Sequence, residues 1–392
     1  MPYSMPALPG AAPPPPRPYV SRVIRPACCG ALALALALAL APARAAAQSP
    51  AAAPASAPAP APAPRERLRI VAVGDINLAR IVARTFVVPG RGAEVFAAVR
   101  DSLRAADLAI GNLESLIYDR GTFADTALSP VFAAPAAAAR LLADAGFAFV
   151  STANNHAWDM GHDALLESLA HLDSAGVAHA GTGPTPADAL RPAMLRRRGW
   201  TVALFSVTAI FNQPDLVVRG HPAACCVAWA DTVALRSAID TARAGGADLV
   251  VVMLHAGTEY LDVPPPAVVA LAKGLVRAGA DVVFGHHPHV PQGLGWADER
   301  PIVYSLGNFV FAQRRRWTDR GLWAELTVEP DGHRSLVVRP VIAGMQPRLA
   351  AGADSAAVME HFRAISDSLA HLPPARPRRT LGRPRTSGPG GA

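Results

Sequence analysis

The chain has 392 residues, of which 51% are apolar and 17% are charged, and it contains 38 prolines and 31 glycines. This composition excludes a wholly disordered polyelectrolyte and a coiled coil, and the length predicts one large domain or two small ones. The net charge of +7 comes from the tails, because residues 1–64 contain four arginines, residues 373–392 contain five, and neither segment has an acidic residue. The middle of the chain has 28 basic and 30 acidic residues, so no nucleic-acid partner is expected.

The N-terminal segment has the pattern of an export signal. Three arginines precede an apolar run from Gly30 to Pro42, and small residues suited to cleavage follow as far as Ala47. The run has about 12 residues, fewer than the roughly 20 that a membrane-spanning helix needs. We therefore predict a signal peptide over residues 1–47 and an exported protein, periplasmic or extracellular, with membrane association as the alternative.

The rest of the chain divides by composition into three parts. Residues 48–66 are rich in Ala and Pro, which predicts an extended linker, and residues 373–392 form a Pro/Arg/Gly tail that we expect to be disordered. One folded domain is predicted over residues 67–372. After signal cleavage only Cys225 and Cys226 remain, too few for a disulfide framework or a thiolate zinc site. A vicinal disulfide or two free thiols in a loop are favoured over a redox role.

Short β-branched runs alternate with helical patterns across this domain, as in an α/β layer fold. Strands are predicted at Leu68–Val73, Asp107–Ile110, Phe147–Ser151, Val202–Val207, Asp248–Leu254, Asp281–Phe284 and Ile302–Ser305. Apolar spacing predicts helices around Val95–Leu103 and Leu165–Leu172. After Gly321 the pattern predicts two further strands and a helix, at Leu322–Val328, Ser335–Val341 and Ser355–Leu369.

Polar motifs follow six of these strands. They are GDIN at Gly74–Asn77, GNLE at Gly111–Glu114, TANNH at Thr152–His156, LHAGTE at Leu254–Glu259, GHHPH at Gly285–His289 and SLGNF at Ser305–Phe309. Because the carboxyl ends of strands converge on one crevice in open α/β sheets, these side chains are expected to meet in space. Pairs spaced i, i+2, such as His287 and His289, are expected to point to the same side of an extended chain.

The donor types at these strand ends predict a metal site. Carboxylate, imidazole and amide oxygen without thiolate suit Mn²⁺, Zn²⁺, Fe or Mg²⁺. Such a site favours an anionic, phosphate-like group, and its cation can lower the pKa of bound water to about 7. A lone histidine is more often structural, but the same chemistry repeated at several strand ends favours the metal site.

Other kinds of site have weaker support in the sequence. The chain has no GxSxG elbow and no Walker P-loop, and Lys273 is its only lysine. The segment GTGPTP, Gly181–Pro186, has two of the three glycines of a dinucleotide fingerprint and a proline where its helix would begin, so we interpret it as a loop. The six tryptophans are scattered and are expected to pack in the core.

An ordered set of motifs between roughly Arg67 and Val341 resembles one family. The motifs are GDIN, GNLE, TANNHAWDMG, HAGTGPTPADALRP, LHAGTEY, FGHHPHVPQG and YSLGNFVF. They resemble the CapA family, the capsule or poly-γ-glutamate synthesis proteins also represented by PgsA. That family is similar to calcineurin-like metallophosphoesterases. The resemblance therefore implies a four-layer α-β-β-α sandwich with one or two divalent ions, Mn, Fe or Zn, at the strand ends.

The resemblance also implies roles for individual residues. Asp75 resembles the first aspartate ligand, and Asn155 resembles an asparagine ligand that is followed by a catalytic histidine, His156. His255 resembles the lone histidine ligand, and His287 with His289 resembles the closing HxH pair. Asn112 and Glu114 are expected to complete the ligands, and the residues expected to contact substrate or support the ligands are Asn77, Asn154, Glu259, His286 and Asn308.

Three positions depart from the patterns of these families. Asn77 stands where the phosphoesterases have a histidine ligand, and Asn112 stands where they have a bridging aspartate, with Glu114 two residues later. Either Glu114 takes the bridging role or only one metal binds well. Ala256 replaces the usual tryptophan of the CapA pattern, which changes substrate contact there.

Two functional hypotheses follow. The first is an exported metal-dependent hydrolase acting on a phosphoester or an anionic polymer, with His156 protonating the leaving group or stabilising the transition state. The second is a non-catalytic polymer-binding or scaffold partner of the membrane proteins of a capsule synthase or export complex. The ligand set is common to both.

Overall fold

A computed structural model describes residues 64–119, 131–212 and 226–370. The predicted signal peptide, most of the predicted linker, the predicted tail and Cys225 lie outside these residues. Cys226 is buried, with its Sγ 3.7 Å from the carbonyl oxygen of Pro184. Within the described ranges, no helix is long and apolar enough to cross a membrane.

The strands, numbered in chain order, run as follows. They are β1 Leu68–Ile76, β2 Leu108–Leu113, β3 Leu116–Ile117, β4 Ala133–Ala134, β5 Phe147–Ser151, β6 Ala178–Ala180, β7 Ala193–Arg197, β8 Trp200–Thr208, β9 Leu249–His255, β10 Val282–His286, β11 Leu294–Ala297, β12 Arg300–Val303, β13 Asn308–Val310, β14 Arg320–Val328, β15 Arg334–Ile342 and β16 Arg348–Leu349.

The α-helices are α1 Arg80–Val82, α2 Arg100–Arg104, α3 Ala137–Ala145, α4 Gly161–Ala175, α5 Pro186–Leu190, α6 Thr232–Ala244, α7 Pro266–Arg277 and α8 Gly352–Ala370. A π-helical turn at Ala83–Val87 continues α1, and a 3₁₀ turn lies at Gly92–Glu94.

The larger strands form two sheets. The first has the order β16-β15-β14-β1-β2-β5-β6, with β13 also paired to β1, and its β1, β2, β5 and β6 are parallel. The second has the order β11-β12-β10-β9-β8-β7, and its β8, β9, β10 and β12 are parallel. Parallel strands buried on both faces read as nearly continuous apolar runs, which β1 and β9 show in this sequence.

Side-chain alternation along the strands divides the core into layers. Ile70 of β1 packs between the two sheets, whereas Val71 packs outward with Leu142 of α3 and Leu165 of α4. In β9 the alternation places Val250 in an outer core, where it packs with Ile239 of α6 and Leu275 of α7. The architecture is therefore helices, sheet, sheet, helices, which confirms the α/β four-layer α-β-β-α sandwich that the resemblance implied.

Several local predictions need correction. The helix expected around Val95–Leu103 is broken into turns and the short α2, because Gly90 and Gly92 precede it and Val99 has a non-helical backbone. Asp107 does not belong to a strand, since its carboxylate accepts the backbone N–H of Arg69 at 2.8 Å. The segment GTGPTP ends in a helix, because Thr185 caps α5 and Pro186 occupies its first turn, where a missing N–H has no cost.

Two glycines let backbones approach closely beside the strand ends. A Cβ on Gly74 would lie 2.0 Å from the carbonyl oxygen of Gly307, and one on Gly285 would lie 1.9 Å from that of Tyr304. Both distances are far inside van der Waals contact, so only glycine fits. Because Gly74 and Gly285 precede Asp75 and His286, this close packing holds the polar strand ends in place.

Candidate metal centre

The carboxyl ends of strands from both sheets meet at one place. Asp75 lies in register with Asn112 of β2 and with Asn308 of β13, and His255 of β9 lies in register with His286 of β10. Register brings these side chains together from strands that are far apart in sequence. The polar motifs predicted from the sequence therefore converge, as expected for strand ends in α/β sheets.

Two buried groups of three side chains could each hold a cation, and they share one member. Glu114, His255 and His287 form the first, and Asp75, Glu114 and His289 form the second. In each group one donor atom per residue lies within 4.8 Å of the others. Glu114 is thus placed to bridge two ions, and it lies two residues after Asn112, where the phosphoesterase pattern has its bridging aspartate.

Buried polar atoms without partners point to a cation at this place. Among the described residues, Oε1 of Glu114 and Nδ1 of His287 have no hydrogen-bond partner although they are buried. An unpaired buried acceptor is costly unless a cation or donor compensates it. Burial first, then the nearby charges of Asp75 and Glu259, raise the pKa of Glu114 well above its usual value. The donor set therefore fits a divalent cation.

Asp75 is held in its charged form by its neighbours. Burial opposes its ionisation, but a hydrogen bond from His289 and the nearby imidazole of His286 lower the pKa of Asp75 overall. Its carboxylate lies 3.2 Å from Nδ1 of His289 and accepts a 2.8 Å hydrogen bond from the Asn112 amide. A charged carboxylate held in a dry site is a strong ligand for a cation.

His255 lies in contact with both amide residues predicted as ligands. Its Nε2 is 2.7 Å from Oδ1 of Asn155, and its Nδ1 is 3.3 Å from Nδ2 of Asn112. Burial and then the neighbouring imidazole of His287 lower the pKa of His255 well below its usual value. Burial likewise lowers the pKa of His287 to about 4. Both rings are therefore neutral near pH 7, the form that binds metal.

His156 lies at the edge of this cluster and is oriented by a carboxylate. Its Nδ1 is 2.7 Å from Oδ2 of Asp159, and its Nε2 is 3.9 Å from Oε1 of Glu114. Phe132 stacks on the ring with a centroid distance of 3.8 Å. The ring is thus fixed, with Nε2 directed toward the carboxylate shared by the two groups.

The backbone of the HxH pair differs from the extended chain expected from its spacing. His287 has φ 96° and His289 has φ 60°, both in the left-handed region. The two rings still meet, at a centroid distance of 6.1 Å, but a turn brings them together and not strand alternation. Non-glycine residues in this region are strained and are concentrated at functional sites.

The remaining predicted residues take different positions around the cluster. Asn154 donates to Oδ1 of Asn112 at 3.3 Å, and Asn308 accepts from Nδ1 of His289 at 3.0 Å, so both support ligands. His286 lies within 3.2 Å of the Val73 carbonyl through Nε2, on the buried side of its strand. Asn77 accepts the N–H of Ala79 at 2.9 Å, so its side chain shapes the turn after β1.

A cleft of about 520 Å³ opens onto the cluster. The predicted site residues Asn155, His156, Glu259 and His289 line it. The other lining residues were not predicted from the sequence, and they are Arg80, Val131, Phe132, Asp159, Asn212, Tyr260 and Gln313. Two of these had a signal. Asp159 follows His156 at helical i, i+3 spacing inside the motif TANNHAWDMG, and Tyr260 ends the motif LHAGTEY. Asn212 hydrogen bonds to Asn155 at 3.0 Å and had no sequence signal.

Comparison with known proteins gives the family. A model of the family described as "Bacterial capsule synthesis protein PGA_cap" matches residues 69–313. The chain belongs to this family. Its match to the capsule biosynthesis protein CapA of Bacillus anthracis is 32% identical and covers 64% of this chain and 61% of that protein. The match to the PGA biosynthesis protein CapA of Bacillus subtilis is 29% identical and covers 69% and 70% of the two chains.

A third relative comes from Mycobacterium tuberculosis and is described as a probable polyglutamine synthesis accessory protein. It is 30% identical, with coverage of 63% of this chain and 67% of the relative. The family match includes the GDIN, GNLE, TANNH, LHAGTE, GHHPH and SLGNF motifs, and so every residue of the two candidate metal-binding groups.

Proposed function

We propose that this capsule synthesis family member is an exported, divalent-metal-dependent hydrolase that acts on a phosphoester or an anionic polymer. The observation that carries the proposal is Glu114, a buried carboxylate shared by two ligand groups and facing His156 across 3.9 Å. A structural polar cluster would satisfy its own acceptors, whereas Oε1 of Glu114 has no hydrogen-bond partner and lies 3.5 Å from Nε2 of His289.

A divalent cation would be held by two carboxylates, Asp75 and Glu114, and by three histidines, His255, His287 and His289. It would supply Lewis acidity and attract an anionic group of the substrate. Other residues of the chain would hold the ligands in place and transfer the proton. Asn112 and Asn154 hold the ligands in position, and Phe132 fixes the ring of His156. His156 would, in its protonated form, keep one proton on Nδ1 against Asp159 and give the other, from the Nε2 that faces the cluster, to the leaving group.

The names of the relatives supply the setting. Proteins described as acting in capsule or PGA biosynthesis suggest that the polymer or a precursor of it is the substrate, and that the membrane proteins of a synthase or export complex are partners. Export is proposed from the predicted signal peptide over residues 1–47. Sequencing the N-terminus of the processed protein tests this: a start near Gln48 supports it, and a retained Met1 in the membrane fraction contradicts it.

The hydrolase proposal is tested by metal analysis coupled to turnover. The mature protein would be purified, its Mn, Fe and Zn contents measured, and a panel of phosphoesters and γ-linked oligoglutamates assayed with added Mn²⁺. Glu114→Gln should lose metal and turnover together, whereas Glu360→Gln, at an exposed position of α8, should match the wild type. Turnover that is equal in the Glu114→Gln and Glu360→Gln variants would exclude the proposed centre.

A second function is favoured by one observation. Asn77 occupies the place of a histidine ligand and accepts the N–H of Ala79, so the centre has one imidazole fewer than the phosphoesterase pattern, and a relative is described as an accessory protein. In that case the protein would bind polymer without cleaving it. A metal-loaded protein that binds oligoglutamate but releases no product from any substrate of the panel would establish this second function.

A further inference from the structure

The cleft at the metal centre is the middle of three compartments. A compartment of about 220 Å³ shares Arg80 with it, and another of about 370 Å³ shares Tyr260. The segment from Phe311 to Arg316 borders all three in order: Phe311 and Ala312 line the first, Gln313 lines the cleft, and Arg315 and Arg316 line the last. The three compartments therefore lie side by side along this segment, with the cleft at the metal centre between the other two, and are together called the trough below.

Both ends of the trough are cationic. Arg80 and Arg84 line the first compartment, and Arg315 and Arg316 line the third. Acidic residues line the other two compartments as well, since Asp159 and Glu259 line the central cleft and Asp262 lines the third compartment, 3.4 Å from Arg316. Among the described lining residues, two arginines and no acidic residue border the first compartment, and two arginines and one acidic residue border the third. The centre becomes favourable to an anion only when a divalent cation is bound.

The arginines at the ends are held by local structure. The Arg80 guanidinium lies over the Phe132 ring at 5.5 Å, and Arg80 has a left-handed backbone with φ 54°. The Arg315 guanidinium lies over the Tyr260 ring at 4.3 Å. Arg315 also exchanges two hydrogen bonds with buried Thr318, at 2.9 Å and 2.8 Å, which closes the turn that carries it. A guanidinium placed on an aromatic face is pre-organised to bind a carboxylate.

We propose that this trough binds one linear polycarboxylate across the metal centre, with Arg80 and Arg84 holding its anionic groups on one side and Arg315 and Arg316 on the other. This deepens the proposed function and rests on it for the cleavage of the bound chain. The substrate is then an extended polymer contacted on both sides of the reacting bond, and cleavage is internal and not confined to a terminal group.

Polar and apolar surfaces are mixed in the third compartment, which selects the kind of polyanion. Leu261 and Val263 are each 43% exposed there, beside Arg315 and Arg316. A chain whose charges are separated by methylene groups can place apolar segments on these side chains and carboxylates on the arginines. Polyphosphate has charge at every unit and gains nothing from the apolar surface.

Binding of probes to the Mn²⁺-loaded full chain tests the proposal by calorimetry. The probes are a γ-linked oligoglutamate long enough to cross the trough, free glutamate, and a polyphosphate of equal charge. Arg80→Gln and Arg315→Gln should each weaken oligoglutamate binding about five- to tenfold, as expected for loss of one charge-assisted contact at a partly exposed site. Arg140→Gln, at an exposed position of α3, is the matched control and should bind as the wild type does.

The outcomes separate this inference from the hydrolase proposal. Cleavage of the small diester bis(4-nitrophenyl) phosphate by the wild type and by Arg140→Gln reports the hydrolase separately, because this probe is too short to reach either end of the trough. If the arginine variants bind oligoglutamate as tightly as Arg140→Gln does, or if polyphosphate binds more tightly than oligoglutamate, the trough proposal is wrong even with an active enzyme. If oligoglutamate binding depends on the arginines but no probe is cleaved, the trough proposal is supported and the hydrolase proposal is contradicted.

Discussion

His156 Nδ1 lies 2.7 Å from Oδ2 of Asp159, and the same carboxylate oxygen accepts the backbone N–H of Phe132 at 2.7 Å. Phe132 in turn covers the face of the imidazole. Asp159 thus fixes both the ring of His156, through the proton on Nδ1, and the aromatic residue beside it. This makes it a positioning residue, and its contribution can be separated from that of the imidazole.

The first prediction compares these two residues. His156→Ala should keep its metal and lose turnover by about 10² to 10⁴-fold, the range for one general acid or base. Asp159→Asn should keep the metal and lose less turnover, because the imidazole of His156 remains but its Nδ1 proton no longer faces a carboxylate. The pH–rate profile of this variant should shift. Turnover, metal content and melting temperature would be measured for both variants and for the wild type. Equal activity per folded molecule in these three proteins would assign His156 a structural role only.

A second prediction uses two adjacent histidines that face different ways. His287 belongs to a candidate ligand group, whereas Nε2 of His286 lies against the Val73 carbonyl. His287→Ala should abolish metal-dependent stabilisation. His286→Ala should keep it but lower the free energy of unfolding of the metal-free protein by about 1–3 kcal/mol, the cost of an unsatisfied buried group. Melting with and without Mn²⁺ checks both, and equal metal contents in the two variants would contradict the ligand assignment.

A third prediction concerns the raised pKa of Glu114. A protonated glutamate has nearly the shape and charge of glutamine, so Glu114→Gln should leave the melting temperature of the metal-free protein almost unchanged. Its metal-dependent stabilisation should vanish. For the wild type that stabilisation is about 2.7 kcal/mol when free metal is at 100 times its Kd. A large loss of stability in the metal-free variant would show that Glu114 is charged before metal binds.

The fourth prediction is the pH dependence of metal binding. Because the pKa of Glu114 is raised well above its usual value, the metal-free protein holds a proton there that metal must displace. Metal affinity should therefore rise with pH from about 4, the pKa of His287, up to the raised pKa of Glu114. His287 is half protonated only at the lower end of that range, so the slope at higher pH comes from Glu114. Calorimetry in buffers of different ionisation enthalpy would detect the released proton, and an affinity that does not vary with pH would contradict the prediction.

Sequence patterns predicted the layers well and the loops poorly. β5 has the predicted bounds, Phe147–Ser151, and β9 differs by one residue at each end, because buried parallel strands read as apolar runs. β13 escaped prediction, since three residues, Asn308–Val310, have too little pattern to be recognised. Its pairing with β1 depends on long-range contacts that no local signal contains.

The candidate site shows the same division. The site residues directly after strands were predicted from the sequence, because parallel strands bring their carboxyl ends to one place. The contact between Asn155 and Asn212 was not predicted, because it joins loops 57 residues apart in the chain. The arginine run 314–316 was also passed over, because exposed charges are usually only solvated, and its position along the cleft is visible only in the fold.

The left-handed backbones of His287 and His289 have a consequence for how the centre assembles. Each such residue stores about 1–3 kcal/mol of strain, and in the absence of a cation the turn can relax and release it. Restoring the turn would then use part of the intrinsic affinity for metal, and the observed affinity would be lower than the ligands alone would give. A bound ion would also link the two sheets, since Asp75 belongs to one and His287 and His289 follow a strand of the other. Amide hydrogens around these histidines should consequently exchange more slowly once metal is bound, which makes cation loading a step in the maturation of the fold as well as in its chemistry.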